Sequence, residues 1–125
     1  MPVEPGLSSK LELKVSESDT AIAHGSGDVP VLATPRLVAL MEEATVSAIA
    51  RRLAHTETSV GMRVQLDHLQ PTAVGSTVLA EATLEKVEGR RLTFTVTVTD
   101  DCGLVAAGKV TRVVVDRERF LEKAR

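Results

Sequence analysis

The sequence predicts an α+β domain in which a curved antiparallel β-sheet wraps one long central α-helix. Two observations predict it. The composition is β-branched, with 18 Val and 13 Thr among 125 residues, which suits pleated, half-buried surfaces. The order of hydrophobic patterns is one short strand, one long apolar helix, then four long strands, which segregates the helix from the sheet along the chain.

Residues 1–9 read as a loose arm. Leu11, Leu13 and Val15 then alternate with Glu12 and Lys14, the period of a first short strand. From Ser16 to Pro30 the chain is polar and small, with His24-Gly25-Ser26-Gly27-Asp28 at its centre, so a loop is expected there with one short strand around Thr20–Ala23. Thr34-Pro35 matches a helix start, Thr as the cap and Pro at the first helical position, and the helix is expected to run to about Ala54. Leu37, Leu40, Met41, Ala44 and Ala48 form one apolar stripe on it, and Val38, Val46, Ile49 and Leu53 another. A helix apolar nearly all round is a buried one.

After His55–Ser59 the period changes to two. Val60, Met62, Val64, Leu66 and His68 share one face and Arg63, Gln65 and Asp67 the other, as far as Pro71. Another strand is expected over Thr77–Val87, a tight turn at Glu88-Gly89-Arg90, and its hairpin partner over Leu92–Thr99, with Leu92, Phe94, Val96 and Val98 inward and four Thr outward. Asp100-Asp101-Cys102-Gly103 makes the next turn and Leu104–Val115 the last strand, so that the four long strands can form a meander. Asp116 is placed to cap a short terminal helix containing Phe120 and Leu121. One helix cannot cover both faces of such a sheet, and terminal strands leave edges open. A homodimer that continues the sheet or packs helix on helix is therefore expected, with pairing of dimers left open. This is the layout of the hotdog fold.

Composition narrows the function. At 13.3 kDa, folding can remove about two-thirds of the unfolded surface, which is one domain with a real core. Fifteen Lys and Arg against 17 Asp and Glu leave a net charge of −2, so no basic surplus argues for nucleic acid or a membrane surface. Aromatic residues are 2%, too few for stacking platforms or aromatic cages. The single Cys102 excludes an internal disulfide. Three scattered His residues lack the spacing of a zinc site, and neither a metal nor a cofactor is expected. The opening Met-Pro-Val-Glu-Pro-Gly is unlike a signal peptide, which leaves the cytoplasm as the expected compartment.

A few residues stand out as candidates for chemistry. Glu42 is flanked at helical spacing by Val38, Ala39, Thr45 and Val46, so its carboxylate emerges from an apolar stripe; it reads equally as a functional carboxylate or as a helix residue at a dimer seam. Glu43, beside Arg36, Ser47 and Ala50, reads as an ordinary ion-paired or solvated carboxylate. His68 extends the inward stripe of its strand, whereas His24 and His55 sit in polar loops. Thr34 is accounted for as a helix cap, yet its hydroxyl stands at a helix N-terminus, which favours a developing anion. Gly61 and Gly75 read as strand and turn glycines. Gly108 lies within a strand, where a missing side chain marks close approach by another backbone or by a ligand. Arg112, between Val110 and Val114, needs an anion, either a structural carboxylate or a charged group on a ligand.

Ala33-Thr34-Pro35, Leu40-Met41-Glu42, Gly61 through Val64 to His68, and Val87-Glu88-Gly89-Arg90-Arg91-Leu92 together resemble the hotdog-fold thioesterases of the fluoroacetyl-CoA thioesterase type. The resemblance covers residues from about 10 to 120. It implies a catalytic set of Thr34, Glu42 and His68 at a dimer interface, and substrate-binding roles for Gly61 and Arg112. It also implies an acyl-CoA substrate, with Glu42 as nucleophile or general base, His68 as general acid/base, and Thr34 orienting one of them or donating to the oxyanion. The phenylalanines that the family's fluoroacetate-specific enzyme carries before its catalytic Thr are missing from Gly25–Leu32 here. A short or medium acyl group is therefore expected in place of fluoroacetyl. Two other readings are a non-catalytic acyl-CoA binding or sensing module and a hydratase of enoyl or hydroxyacyl thioesters. The mid-helix position of Glu42 argues against the hydratase.

Overall fold

A computed structural model describes residues 2–125. Five strands form one antiparallel sheet: β1 (Ser8–Lys14), β2 (Glu57–His68), β3 (Thr77–Glu88), β4 (Arg91–Asp100) and β5 (Gly103–Asp116). The helices are α1 (Ala21–His24), α2 (Thr34–Ile49) and α3 (Arg117–Glu122). The α+β hotdog architecture is as expected, with α2 lying across β1 and β3. The core between them is a single cluster that includes Leu37, Leu40, Met41, Phe94 and Val96.

Strand order is β1-β3-β4-β5-β2, so the meander has three strands and not the four expected. β2 crosses over to pair with β5, and β1 pairs with β3. The β3–β4 hairpin turns as expected at Gly89-Arg90, where the glycine takes φ +63°, the left-handed conformation a two-residue turn demands.

Several local expectations are corrected. β1 begins at Ser8, inside the supposed loose arm. Immediately before it, Gly6 N–H donates to Leu84 O at 2.8 Å and Leu7 O accepts from Leu84 N–H at 2.7 Å. No strand forms at Thr20–Ala23. Thr20 Oγ1 instead accepts from Ala23 N–H and caps the single turn of α1, a local side-chain bond that competes with extended backbone. The cap of α2 is Ala33, with Thr34 already in the first turn, so the Thr34 hydroxyl is not used in capping. α2 ends at Ile49 and not near Ala54 because the chain must reverse into β2. Arg52 N–H to Ile49 O and Ala54 N–H to Glu57 Oε1, both 2.9 Å, hold that reversal. At the other end of the chain Asp116 caps α3 as expected, accepting from Arg119 N–H at 3.0 Å.

α2 is buried on one side only. Leu37, Leu40, Met41 and Ala44 are at most 2% exposed, whereas Val46, on the second apolar stripe, is 45% exposed. The sheet covers one face of the helix, and among the described residues nothing covers the other at Val46.

Candidate active site

Two groups of polar side chains meet the sequence-predicted positions. The first lies at the start of α2. Thr34 Oγ1 and His68 Nδ1 are 2.8 Å apart, joining the first turn of the helix to the last residue of β2. His68 Nε2 is buried without a hydrogen-bond partner. Burial pushes the His68 pKa below its ordinary 6.5, with the Gln70 backbone opposing, because desolvation disfavours the cation. At neutral pH the ring is therefore neutral and able to take up or pass on a proton. Beside this pair is an open cavity of about 300 Å³, walled by Ala21, Gly27, Val29 and Leu69 together with Thr34 and His68. Its wall includes the segment from which aromatic residues are missing.

That wall is anchored by a buried charge pair. Asp19, 8% exposed, accepts from Arg36 Nε at 3.0 Å and from Ser16 N–H and Oγ at 2.8 and 2.9 Å. Burial alone would raise its pKa, but the Ser16 and Arg36 hydrogen bonds hold it below the usual value. Arg36 also reaches Glu43 at 3.2 Å, which gives Glu43 the ion-pair role expected of it.

The second group surrounds Glu42. Arg112 is 6% exposed and donates from Nη1 to Glu42 Oε2 at 3.3 Å. Its Nε donates to Ser59 Oγ at 2.8 Å and its Nη2 to Ser59 O at 2.9 Å. Burial lowers the Arg112 pKa against the opposing pull of Glu42; the guanidinium nonetheless stays charged at any working pH. Of the two anions considered for Arg112, a structural carboxylate is present, and it is Glu42. Gly61 lies opposite Arg112 across the β2–β5 pair. A Cβ on Gly61 would overlap Glu42 Oε2 and come within 3.4 Å of Cδ.

A β-bulge makes this second group. Pairing shifts between Gly61 and Arg63, leaving Met62 as the extra residue. Directly opposed residues share a sheet face, so the inward residues of β2 are Ser59 and Gly61 before the bulge, opposite Val114 and Arg112, and Val64, Leu66 and His68 after it. The expectation that Val60 and Met62 face inward is thus corrected; Met62 is 49% exposed. One inserted residue inverts the alternation. Gly108, further along, permits close backbone approach: a Cβ there would lie 2.8 Å from Leu66 Cα.

Within one chain, then, Thr34 meets His68 and Glu42 meets Arg112 and Gly61, but the two groups stand apart. Glu42 is eight residues along α2 from Thr34, about 12 Å of helical rise. Sequence reasoning missed Ser59. Its only signal was register, since it lies two residues before Gly61 and hence on the same face of the strand. Among the described residues, no group of three or more His, Cys, Asp or Glu side chains is placed to hold a metal, and no helix is long and apolar enough to cross a membrane.

Comparison with known proteins matches the sequence and the fold of this chain to a described family. The profile of the fluoroacetyl-CoA-specific thioesterases matches residues 15–118. The fluoroacetyl-CoA thioesterase of Streptantibioticus cattleyicolor is 39% identical over 95 residues, 76% of this chain and 68% of that enzyme. A solved structure of a fluoroacetyl-CoA thioesterase superposes with a TM-score of 0.93 at 30% identity, covering 100% of this chain and 97% of the other. A thioesterase superfamily member from Thermus thermophilus gives a TM-score of 0.91 at 27% identity, covering 99% and 92%.

Proposed function

The chain belongs to the fluoroacetyl-CoA-specific thioesterase family, and from that premise we propose how its own residues carry out the reaction. It is a thioester hydrolase acting on acyl-CoA: an acyl-CoA and water give the free acid and CoA thiol. In one route Glu42 attacks the carbonyl carbon and the C–S bond breaks, giving an anhydride and CoA thiolate, and water then hydrolyses the anhydride to release the acid and free Glu42; in the other Glu42 takes the proton from water that attacks the carbonyl directly. In both, neutral His68 takes up the proton that water loses, directly or from Glu42, and passes it to the thiolate, and the Thr34 hydroxyl orients the imidazole through its 2.8 Å contact. Water is the only co-reactant this scheme uses. Gly61 leaves room for the Glu42 carboxylate against the strand, and Arg112 fixes that carboxylate in place.

The observation that carries this reading is the Glu42 carboxylate itself. Its side chain is 35% exposed, held from behind by a buried arginine and faced by a residue with no side chain. Such a carboxylate is open to a reacting atom on one side and fixed on the other.

The separation of Glu42 from Thr34–His68 supports a set assembled from two protomers. β2 is a twelve-residue edge strand, an open template for pairing. The exposed side of α2 carries Val46, and the surface of the single chain is 7494 Å², against roughly 6,500 Å² for a monomeric protein of this mass. In such a homodimer, Glu42 of one protomer works with Thr34 and His68 of the other. The acyl group lies in the cavity beside Thr34, whose 300 Å³ and small aliphatic wall suit a short or medium chain.

The test is complementation. Glu42→Ala and His68→Ala proteins, each inactive alone, are unfolded together, refolded as a mixture and assayed for thiol release from an acyl-CoA panel. A mixed dimer has one site lacking both groups and one intact. Statistical reassortment therefore restores about a quarter of wild-type turnover. A mixture that forms mixed dimers yet stays inactive rules out the shared site. A wild-type protein that binds acyl-CoA without turnover is the binding module of the alternative reading.

A further inference from the structure

Thr34 stands in the first turn of α2, where the leading N–H groups have no partner within the helix and helix ends fray. Pro35 has no N–H to contribute. The Thr34 hydroxyl contacts His68 and caps nothing. The hold on this hydroxyl must therefore come from outside the helix.

Much of it comes from one residue. Asp19 closes a short turn of 3₁₀ helix, Glu17–Asp19, and meets the start of α2 on both sides of Thr34. Its main-chain oxygen accepts from Ala33 N–H at 2.9 Å, immediately before Thr34. Its carboxylate Oδ1 accepts from Arg36 Nε at 3.0 Å, two residues after it. The other carboxylate oxygen is taken by Ser16 N–H and Oγ, which fixes the carboxylate and leaves Oδ1 to the guanidinium. Asp19 is buried and Ala33 fully so, so this contact is shielded from the water that weakens surface ion pairs. By contrast the other arm of Arg36 reaches Glu43, whose side chain is 57% exposed. The segment before Thr34 is also fixed on its opposite edge, where Leu32 N–H donates to Thr72 O at 2.9 Å, four residues after His68. One frame thus carries both members of the Thr34–His68 pair.

We propose that Asp19, through Arg36, is a positioning residue for the reaction: it clamps the first turn of α2 and so holds the Thr34 hydroxyl at His68. The proposal rests on the hydrolase reading above, in which Thr34 orients His68, and deepens it. A clamp of this kind affects turnover only through Thr34. A pair that merely stabilises the fold acts whether or not the hydroxyl is there.

The experiment is a double-mutant cycle on kcat for an acyl-CoA ester, using Arg36→Met, Thr34→Ala and the two combined. Arg36→Met keeps the apolar stem and removes the guanidinium. Alone it is expected to lower kcat about tenfold, part of the roughly hundredfold that a misplacement of about an ångström costs. In the Thr34→Ala background it lowers kcat no further. Glu43→Gln, which breaks only the exposed arm, leaves kcat unchanged. Equal losses in both backgrounds overturn the proposal, as does wild-type kcat in Arg36→Met, or a loss in Glu43→Gln as large as that in Arg36→Met. Asp19→Asn, which keeps the main-chain bond to Ala33 and loses the charge, is expected to give the same pattern and stands in where Arg36→Met fails to fold. A second readout needs no turnover. In protein carrying isotope-labelled histidine, Arg36→Met is expected to move the His68 Nδ1 resonance towards its position in Thr34→Ala, and a resonance that stays at its wild-type position overturns the clamp. If wild type releases no thiol from any acyl-CoA, the hydrolase reading fails, and the resonance alone decides whether Asp19 and Arg36 hold Thr34 at His68.

Discussion

Gly61 and Glu42 approach so closely that a single methyl group cannot stand between them. The glycine comes from β2 and the carboxylate from α2, and a Cβ on the one would overlap Oε2 of the other. Substitution by Ala must therefore move the carboxylate and disturb its 3.3 Å contact with Arg112. Gly61→Ala is expected to lower kcat about a hundredfold, the cost of displacing a reacting group by roughly an ångström. Unfolding midpoints should change little, since Glu42 can swing towards solvent. A variant with wild-type kcat would show that the carboxylate position is not critical.

Ser59 holds Arg112 through both its hydroxyl and its carbonyl. Ser59→Ala removes one acceptor from a buried cation and is expected to cost about 1–3 kcal/mol of stability. It should also lower kcat about tenfold while leaving KM near the wild-type value, because the change reaches the carboxylate only through Arg112. Ser59→Thr, which keeps the hydroxyl, should recover most of kcat. Failure of the Thr variant to recover activity in a folded protein would argue against this positioning role.

The depressed pKa of His68 has a definite sign. The unfolded chain takes up the proton near pH 6.5, the folded chain only at lower pH. The unfolded state therefore binds more protons as pH falls below 6.5, and the fold loses stability in that window while retaining it in full above. Denaturant titrations from pH 8 to 5 should show wild type losing stability more steeply than His68→Gln. Parallel curves would contradict this.

Val29 forms part of the wall of the cavity beside Thr34 and His68. Val29→Phe puts an aromatic ring into a wall that has none. It should lower kcat/KM for medium-chain acyl-CoA esters by about tenfold or more, the scale on which apolar pockets discriminate by size, while acetyl-CoA turnover is largely kept. Equal losses across chain lengths would place the acyl group elsewhere.

The parts of the molecule that were legible in the sequence are those governed by periodicity. Leu92, Phe94, Val96 and Val98 alternate without interruption and all face the core, at most 1% exposed, and the β3–β4 turn followed from its glycine. What periodicity could not show was long-range pairing. Nothing in the local pattern says that β2 crosses to β5 instead of joining β3, or that pairing slips at Met62. Ser59 was invisible for that reason, since its partner Arg112 is 53 positions away. Thr34 carried a different ambiguity. A Thr before Pro satisfies a cap and a site equally well, and only the capping by Ala33 together with the contact to His68 separates the two. Arg112 was visible as a cation needing an anion, but that the anion is Glu42 follows only from the packing of α2 over the sheet.

The slip at Met62 makes the site a matter of parity. Pairing Met62 in register, with no bulge, would restore unbroken two-residue phase along the strand, giving a more regular ladder and a simpler hydrophobic pattern. It would also turn Ser59 and Gly61 to the outside and bring Val60 and Met62 under the helix, so that Arg112 would face an isopropyl group where it now has a hydroxyl. The more perfect strand would be the one unable to support the chemistry: the surplus residue is what keeps Ser59 and Gly61 on the same side of the sheet as Arg112.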